Sequence, residues 1–364
     1  MRLSATLSVY IARTFFVSIA VVLGVLISLI TVIDMVELLR RASGHNSASL
    51  GLVIQMTLLR VPFMTQKVIP FAVLFGGMFA LMRLTRSHEL VVARAAGVSV
   101  WQFLLPGLVL ALVIGGFVVT VFNPLASATT WRYEELEAKY LRGRSSLLAV
   151  SSTGLWLREG RADGQSVVHA LRVSPHDMKL YDVTIFVYEG KDRFSYRLDA
   201  DTATLRDGYW ELKNALVSVP DQPSIFAADY RVDTELTLDQ IQESFASPET
   251  LSFWQLPRFI AMLEKAGFSA LRHRLHWNAV LATPLLLFAM VLIAATFSLR
   301  LTRRGGTGLL VVGGLFAGFL LYFLTDLVRA LGLSGSIPVT LAAWAPAGVC
   351  TMLGLAMLFH LEDG

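Results

Sequence analysis

Residues 83–101, RLTRSHELVVARAAGVSVW, decide how this chain folds. Residues 68–82 before them carry no charge, and residues 95–131 carry none either. Inside the segment Arg83, Arg86, His88, Glu89 and Arg94 alternate with Leu84, Leu90, Val91, Val92 and Ala93. Ser87 predicts an N-cap, and Gly97 stands where a helix would stop. The segment therefore reads as a short amphipathic helix on the cytoplasmic side of a membrane, with one face offered to a partner. The plainer reading is a basic loop that only fixes topology, and spacing alone does not separate the two.

Working outward, the flanking runs set the class. Apolar residues make up 55% of the 364 and charged ones 16%, with a mean hydropathy of +0.60, outside the usage of soluble domains. A bilayer core of roughly 30 Å takes about 20 apolar residues per helix, and several runs meet that length. The net charge of +4 comes from arginines beside apolar runs, where the positive-inside bias puts them. No nucleic-acid signature accompanies them. The single cysteine, Cys350, lies in the last apolar run and reads as a small core hydrophobe.

Six spans follow in order. Residues 14–33 form the first, with Asp34 and Glu37 behind them rather than a small-residue cleavage site, so no cleavable signal peptide is expected. Arg40 and Arg41 come next, then a Ser-, Gly- and Asn-rich loop. The second span, 52–82, is interrupted by Arg60, Pro62, Lys67 and Pro70. A charge such as Lys67 within a span points by default to function, with snorkelling to an interface as the alternative. The third, 100–122, is expected to close at Asn123-Pro124, and residues 131–144 extend it with a Glu135/Lys139 pair. The fourth to sixth cover 277–299, 308–327 and a run ending at 359, with a basic turn at Arg300, Arg303 and Arg304.

Between the triplets the chain changes character. Residues 145–252 carry short β-rich runs separated by Asp163-Gly164, Glu189-Gly190, Asp207-Gly208 and Pro220. Strands without intervening helices predict an antiparallel sandwich, jelly roll or open barrel. The expected fold class is thus a helical membrane protein with an all-β insert. Residues 1–144 hold helices 1–3 with a coupling helix at 86–97, residues 145–252 a β-jellyroll-like domain, and residues 253–364 helices 4–6. Both termini inside would put Arg13, the 83–94 segment and the basic turn in the cytoplasm and the β domain outside. Arg40 and Arg41 then fall on the outer side, against the bias but partly balanced by Asp34 and Glu37.

Catalytic motifs are missing. There is no G-x-x-x-x-G-K-[ST], G-x-S-x-G or H-E-x-x-H. His273 and His276 are three apart without an evident third ligand, so no metal site is expected. Glu89 is the acid that topology does not require. It either holds an arginine of a docking partner or pairs with Arg86 or Arg94, which is worth little when exposed. Asp326 either faces a polar interior or pairs with Arg329.

The three-plus-three arrangement around a β domain resembles the lipopolysaccharide-export permease family LptF/LptG. Arg86-Ser87-His88-Glu89-Leu90-Val91-Val92 with Ala96-Gly97 resembles its coupling-helix motif. Gly154-Leu155-Trp156 resembles the opening of its jellyroll, and Val61-Pro62 with Pro70 its second helix. The Gly-Leu-Trp element and residues 324–327 favour the LptG side of the family. The likeness implies a non-catalytic permease subunit, without a cofactor of its own, in an ATP-driven transporter. That transporter would extract lipopolysaccharide from the outer leaflet of a Gram-negative inner membrane and pass it to a periplasmic β-jellyroll bridge. Implied partners are a homologous permease LptF, an ATPase dimer LptB that binds ATP and Mg, LptC, and the bridge protein LptA. Arg86, Glu89, Leu90, Arg94 and Gly97 would couple to the ATPase. Arg40, Arg41, Lys67 and Arg132 would meet the lipid head group, with Asp34 and Asp326 as further polar residues within the membrane. Asp34 stands where some members carry lysine, and Phe63 replaces a second-helix lysine, with Lys67 one turn on.

The physical requirement is the same without the likeness. A lipid with many acyl chains and an anionic head needs an apolar cavity reached sideways, with cations at its outer rim. Two other classes stay open on residues alone. A secondary transporter lacks an obvious midplane acid network here, and an envelope scaffold would need no cavity.

Overall fold

A computed structural model describes residues 5–42, 49–142, 148–151, 154–161, 164–174, 179–189, 193–234, 247–265, 269–298 and 307–363. Arg300, Arg303, Arg304 and most of the loop after Arg41 lie outside them. Among the described residues six helices are long and apolar enough to cross a membrane: Ala5–Ala42, Leu50–Arg86, Val100–Tyr140, Leu271–Ser298, Val312–Leu333 and Val339–His360. The chain divides into two units, one of 1–141, 249–253 and 274–364, the other of 142–248 and 254–273.

In the first unit, α1 (Ala5–Ala42) and α2 (Leu50–Arg86) form an antiparallel pair. Each is far longer than a bilayer core requires, α1 reaching roughly 57 Å at 1.5 Å per residue. Helix α2 runs unbroken through Pro62 and Pro70, whereas the sequence led us to expect interruptions. In apolar surroundings the backbone has no water to turn to, so a helix persists through proline where a soluble one would stop. Short α3 (Glu89–Ala95) leads into α4 (Val100–Phe117). Ser99 and Gln102 start α4 with a reciprocal capping box.

The expected stop at Asn123-Pro124 does not occur. A π-helical turn, Val118–Phe122, joins α4 to α5 (Asn123–Glu137), and the rod continues. Pro124 has no N–H and would crowd the carbonyl four residues back; the wider turn absorbs both problems. Asn123 is buried there for another purpose. Its Oδ1 accepts the Phe253 backbone N–H at 2.7 Å, while Ser127 donates to the Leu251 carbonyl at 3.0 Å. Two side chains of the rod thus clamp the chain where it returns from the β insert. Helices α7 (Leu271–Ser298), α8 (Thr307–Leu333) and α9 (Val339–Asp363) complete this unit.

Its core joins Ile11 and Phe15 of α1, Leu74 and Leu81 of α2, Leu104 of α4 and Leu292 of α7, each fully buried. Close approach is made possible by small residues. A Cβ on Gly76 of α2 would lie 2.5 Å from the Ile19 Cα of α1, so this crossing admits no side chain. Burial is uneven among the spans. Within its most apolar stretch α2 is 56% buried inside the chain, against 6% for α1 and 17% for α8.

The second unit holds one antiparallel sheet of seven strands in sequence order: β1 (Leu148–Ser151), β2 (Gly154–Arg161), β3 (Gly164–Ser174), β4 (Lys179–Glu189), β5 (Arg193–Arg206), β6 (Tyr209–Ser218) and β7 (Ile225–Asp233). Amphipathic α6 (Leu256–Lys265) belongs to the same unit and buries Leu256, Ile260 and Leu263 along one face. The sheet interior contains Leu155, Leu157, Ile185, Leu198, Trp210 and Leu212. Glu159 is buried among them and accepts from Ser166 Oγ at 3.3 Å and Thr234 Oγ1 at 2.9 Å. The second of these bonds links β2 to the end of β7, five strands along, so the sheet is curled.

A crease crosses this sheet. The ladder skips one row, Leu171, Asp182, Asp201, Asn214 and Ala228, in four successive strand pairs, and between β5 and β6 also the adjoining Ala200/Ala215 pair, while register across the gap is kept. Asp182 and Asn214 on that row adopt φ of 53° and 52°. In β4 burial passes from Leu180 to Val183, in β5 from Ala200 to Ala203, and in β6 from Leu212 to Ala215. Each strand inserts one extra residue at the same level, which keeps its apolar side inward and bends the sheet as a bulge would. Asp and Asn are the residues that accept the left-handed conformation at least cost. A hollow of about 450 Å³ opens at the crease, lined by His169, Asp182, Thr184, Asp199, Asp201 and Asn214 among others. Its acids already have donors: Arg172 for Asp182, Thr184 and Arg197 for Asp199, Asn214 for Asp201.

Candidate functional site

The helical unit concentrates its chemistry at its two ends. At one end α2 stops at Arg86, and Ser87 closes it with its backbone N–H on the Arg83 carbonyl. Ser87 is therefore the C-cap of α2, not the N-cap of the next helix. That position falls to His88, held at φ 60°. The helix expected over 86–97 covers only Glu89–Ala95, because Arg86 belongs to α2 and Gly97 (φ 82°) makes the turn towards α4. The left-handed backbone at Gly97 is the glycine-type stop that the sequence pointed to.

Side chains of the segment divide cleanly. Leu90 is 6% exposed and joins the helical core, so it anchors α3 from beneath. Val91 and Val92 point outward at 49% and 67% exposure. Arg86 and Arg94 are exposed beside them. Glu89 is half-buried. Its Oε1 accepts from Ser87 Oγ at 2.8 Å and from Tyr10 Oη of α1 at 3.1 Å. The sequence offered Arg86 or Arg94 as intramolecular partners; the hydroxyls of Ser87 and Tyr10 hold the carboxylate instead. An outward surface of two valines, two arginines and one positioned acid suits a groove of mixed character.

The opposite end carries a charge cluster. Arg40 and Arg41 both bond Glu37, each at 2.9 Å at its closest, and Arg41 also lies 3.8 Å from Glu137. One carboxylate thus orients two guanidiniums, leaving Arg40 with 75% of its side chain exposed. Asp34 bonds Arg60 at 2.5 Å with both side chains largely covered, and Arg60 sits 5.3 Å from the Tyr133 ring centre. The acid where a lysine was expected is therefore the counter-ion of an arginine one helix away. Arg132 is exposed, bonds Glu135 at 2.8 Å and lies beside Trp131. Glu135 thus pairs backward to Arg132, while Lys139 sits 5.2 Å from the Tyr140 ring.

Lys67 is exposed on α2 with its ammonium 4.5 Å from the Phe63 ring centre. Its electrostatic neighbours are Glu249, Arg329, Arg60 and Asp326. Asp326 is exposed on α8 with Tyr322 as an electrostatic neighbour one turn before it, while Arg329 reaches Glu249 at 3.7 Å. Glu249 belongs to the short segment clamped by Asn123 and Ser127, which draws α8 and α5 to the same strand of chain. Sequence reasoning missed Glu137, Glu249 and Tyr10. Glu37 was readable as a counter-charge, three and four residues before the arginines it holds. Among the described residues no three His, Cys, Asp or Glu side chains gather as a metal site; His273 lies tilted against Phe259.

A multi-pass helical membrane protein with an antiparallel β insert, a short exposed helix between two spans and a charged far end has the build of a transporter permease. The model of the family "Lipopolysaccharide export system permease LptF/LptG" matches residues 9–360, and the chain belongs to that family. Similar relatives include the lipopolysaccharide export system permease protein LptG of Escherichia coli K12, 28% identical across 96% of this chain and 97% of its own length. The LptG protein of Haemophilus influenzae is 25% identical over 98% of each.

Proposed function

We propose that this chain is one of two permease subunits of an ATP-driven transporter in the inner membrane of a Gram-negative bacterium. It draws lipopolysaccharide from the outer leaflet and hands it to a periplasmic β-jellyroll bridge. The observation that carries this reading is the exposed apolar surface of α1 and α8 beneath a ring of charged side chains. Val21, Val25, Leu29 and Val32 of α1 are 57–63% exposed, and Phe316, Phe319 and Phe323 of α8 are 58–66% exposed. No single subunit covers these faces. With a second, homologous permease (LptF) opposite, they make an apolar chamber that acyl chains enter sideways. Arg40, Arg41, Lys67 and Arg132 then stand where anionic head groups arrive, Arg40 and Arg41 pre-oriented by Glu37.

The end that bears α3 lies in the cytoplasm on this reading, and the β domain in the periplasm. Helix α3 docks on the ATPase dimer (LptB), which binds ATP and Mg, so this chain needs no cofactor. The ATPase biases open against closed chamber states through that contact. The β insert passes acyl chains along its apolar interior, or lends a sheet edge to LptC and LptA.

The test is to purify the tagged chain from its native membrane in mild detergent and identify everything retained by mass spectrometry. A homologous permease, an ATPase and bound lipopolysaccharide are expected together. Glu89→Arg should lose the ATPase alone, since it places a second cation where an arginine is to be received. Recovery of the chain by itself under several detergents would move the reading to a secondary transporter or a scaffold.

A further inference from the structure

Glu89 is the only acid between α2 and α4, and one of its two hydroxyl donors comes from 79 residues away. Ser87 is local and would hold the carboxylate in any packing of the helices. Tyr10 is on α1, and its hydroxyl meets the same oxygen, Oε1. Among the described residues Oε2 takes no hydrogen bond, so it keeps the capacity to accept one from a partner.

What lies behind Tyr10 gives this bond its consequence. The next residue, Ile11, and Phe15 one turn further are 0% exposed, in the same core cluster as Leu84 and Leu90, which bracket Glu89. Past Ile19 the helix turns one face out of that core, with Val21, Val25, Leu29 and Val32 exposed, until Leu38 and Ala42 are buried again beside Val53, Met56 and Tyr133. Helix α1 is thus held at the end that touches the docking segment and again at its far end by Leu38, Ala42 and the Asp34–Arg60 pair, with one face open between them along the length that would line the lipid chamber. A displacement of Glu89 by a bound cation acts on one held end of a long rod.

We propose that Tyr10 positions Glu89 for docking and ties the docking event to α1, so that a cationic side chain of the ATPase taken on Oε2 shifts the chamber helix through the Tyr10 hydroxyl. This rests on the functional reading above in one respect, that an ATPase docks on α3. Tyr10 is a positioning residue; Glu89 makes the contact. Removing the hydroxyl should uncouple the motor from the lipid without releasing the motor.

The experiment uses the full transporter purified from native membranes, wild type against Tyr10→Phe, with Thr14→Val as control. Thr14 loses a hydroxyl that bonds only within α1, to the Tyr10 carbonyl at 3.0 Å. Three quantities are read: amide exchange across residues 89–95, ATPase retained, and lipopolysaccharide released per ATP hydrolysed. For Tyr10→Phe we expect exchange roughly threefold to tenfold faster, the scale of one net hydrogen bond. The ATPase should be retained at the wild-type ratio and lipid released per ATP should fall several-fold, while Thr14→Val matches wild type in all three. Unchanged exchange in Tyr10→Phe overturns the tie. Wild-type lipid per ATP in Tyr10→Phe overturns its role in coupling. If the wild-type chain retains no ATPase, the functional reading fails by itself, and the exchange measurement still decides whether Tyr10 holds α3.

Discussion

At the scale of single residues, the charges of this protein are spent mostly on one another. Asp34 shows the point. A lysine there would have repelled Arg60, whereas the acid makes with it the most covered ion pair among the described residues. Removing one member leaves the other poorly solvated, which costs more than the pair itself contributes. Asp34→Ala should therefore lower stability by about 1–3 kcal/mol, discounted for the partial exposure of Arg60. Asp34→Ala with Arg60→Met should recover most of that loss. Thermal unfolding in detergent, followed by near-ultraviolet dichroism, checks both. How legible such partners are depends on distance along the chain. Glu37 is one helical turn from Arg40 and Arg41, so periodicity reveals it. Arg60 is 26 residues from Asp34 and Tyr10 is 79 from Glu89, and nothing local announces either pair.

At the scale of elements, the strong signals were those that water and lipid impose. Apolar length marked all six spans, and turn dipeptides marked the β insert. The misreadings came from local rules that the membrane and the fold override. Pro62, Pro70 and Pro124 read as breaks, yet the first two sit inside continuous α2 and the third is absorbed by a π turn. Simple alternation also fails in β4, β5 and β6, because the crease shifts the inward-facing parity midway. The crease in turn rests on left-handed backbone at Asp182 and Asn214. A β-branched residue is disfavoured there by roughly 1–2 kcal/mol, so Asn214→Val should destabilise the insert by about that much. Hydrogen exchange should quicken along β5 and β6 around residues 199–216 while the helical spans keep their protection. Equal protection throughout would show that the row does not depend on its left-handed residues.

At the scale of the molecule, the helical unit is a tight core of α2, α4, α7 and the first turns of α1, with the apolar middle of α1 and most of α8 left largely bare. Composition could say that these helices meet lipid. It could not say which of the six the chain itself leaves uncovered, since that depends on packing between distant segments. The bare pair makes a direct prediction for the proposed activity. A photo-reactive side chain at Val25 of α1 or Phe319 of α8 should capture lipopolysaccharide in native membranes, while one at Leu281 of α7, which is only 36% exposed, should capture far less. Equal capture at all three positions would mean random contact with bulk lipid and would argue against a chamber.

The crease has a further consequence for how this insert can change over evolutionary time. Since β4, β5 and β6 each carry their extra residue on one shared row, deleting Asp182 alone would slide half of β4 past its neighbours. Ile185 would then turn outward and Thr184 inward. Gains and losses of single residues are tolerable here only when adjacent strands make them together. The strands are inherited as a set, and a hybrid insert that borrows one of them from a relative without the crease should fail to fold, whereas one that borrows the whole meander should not.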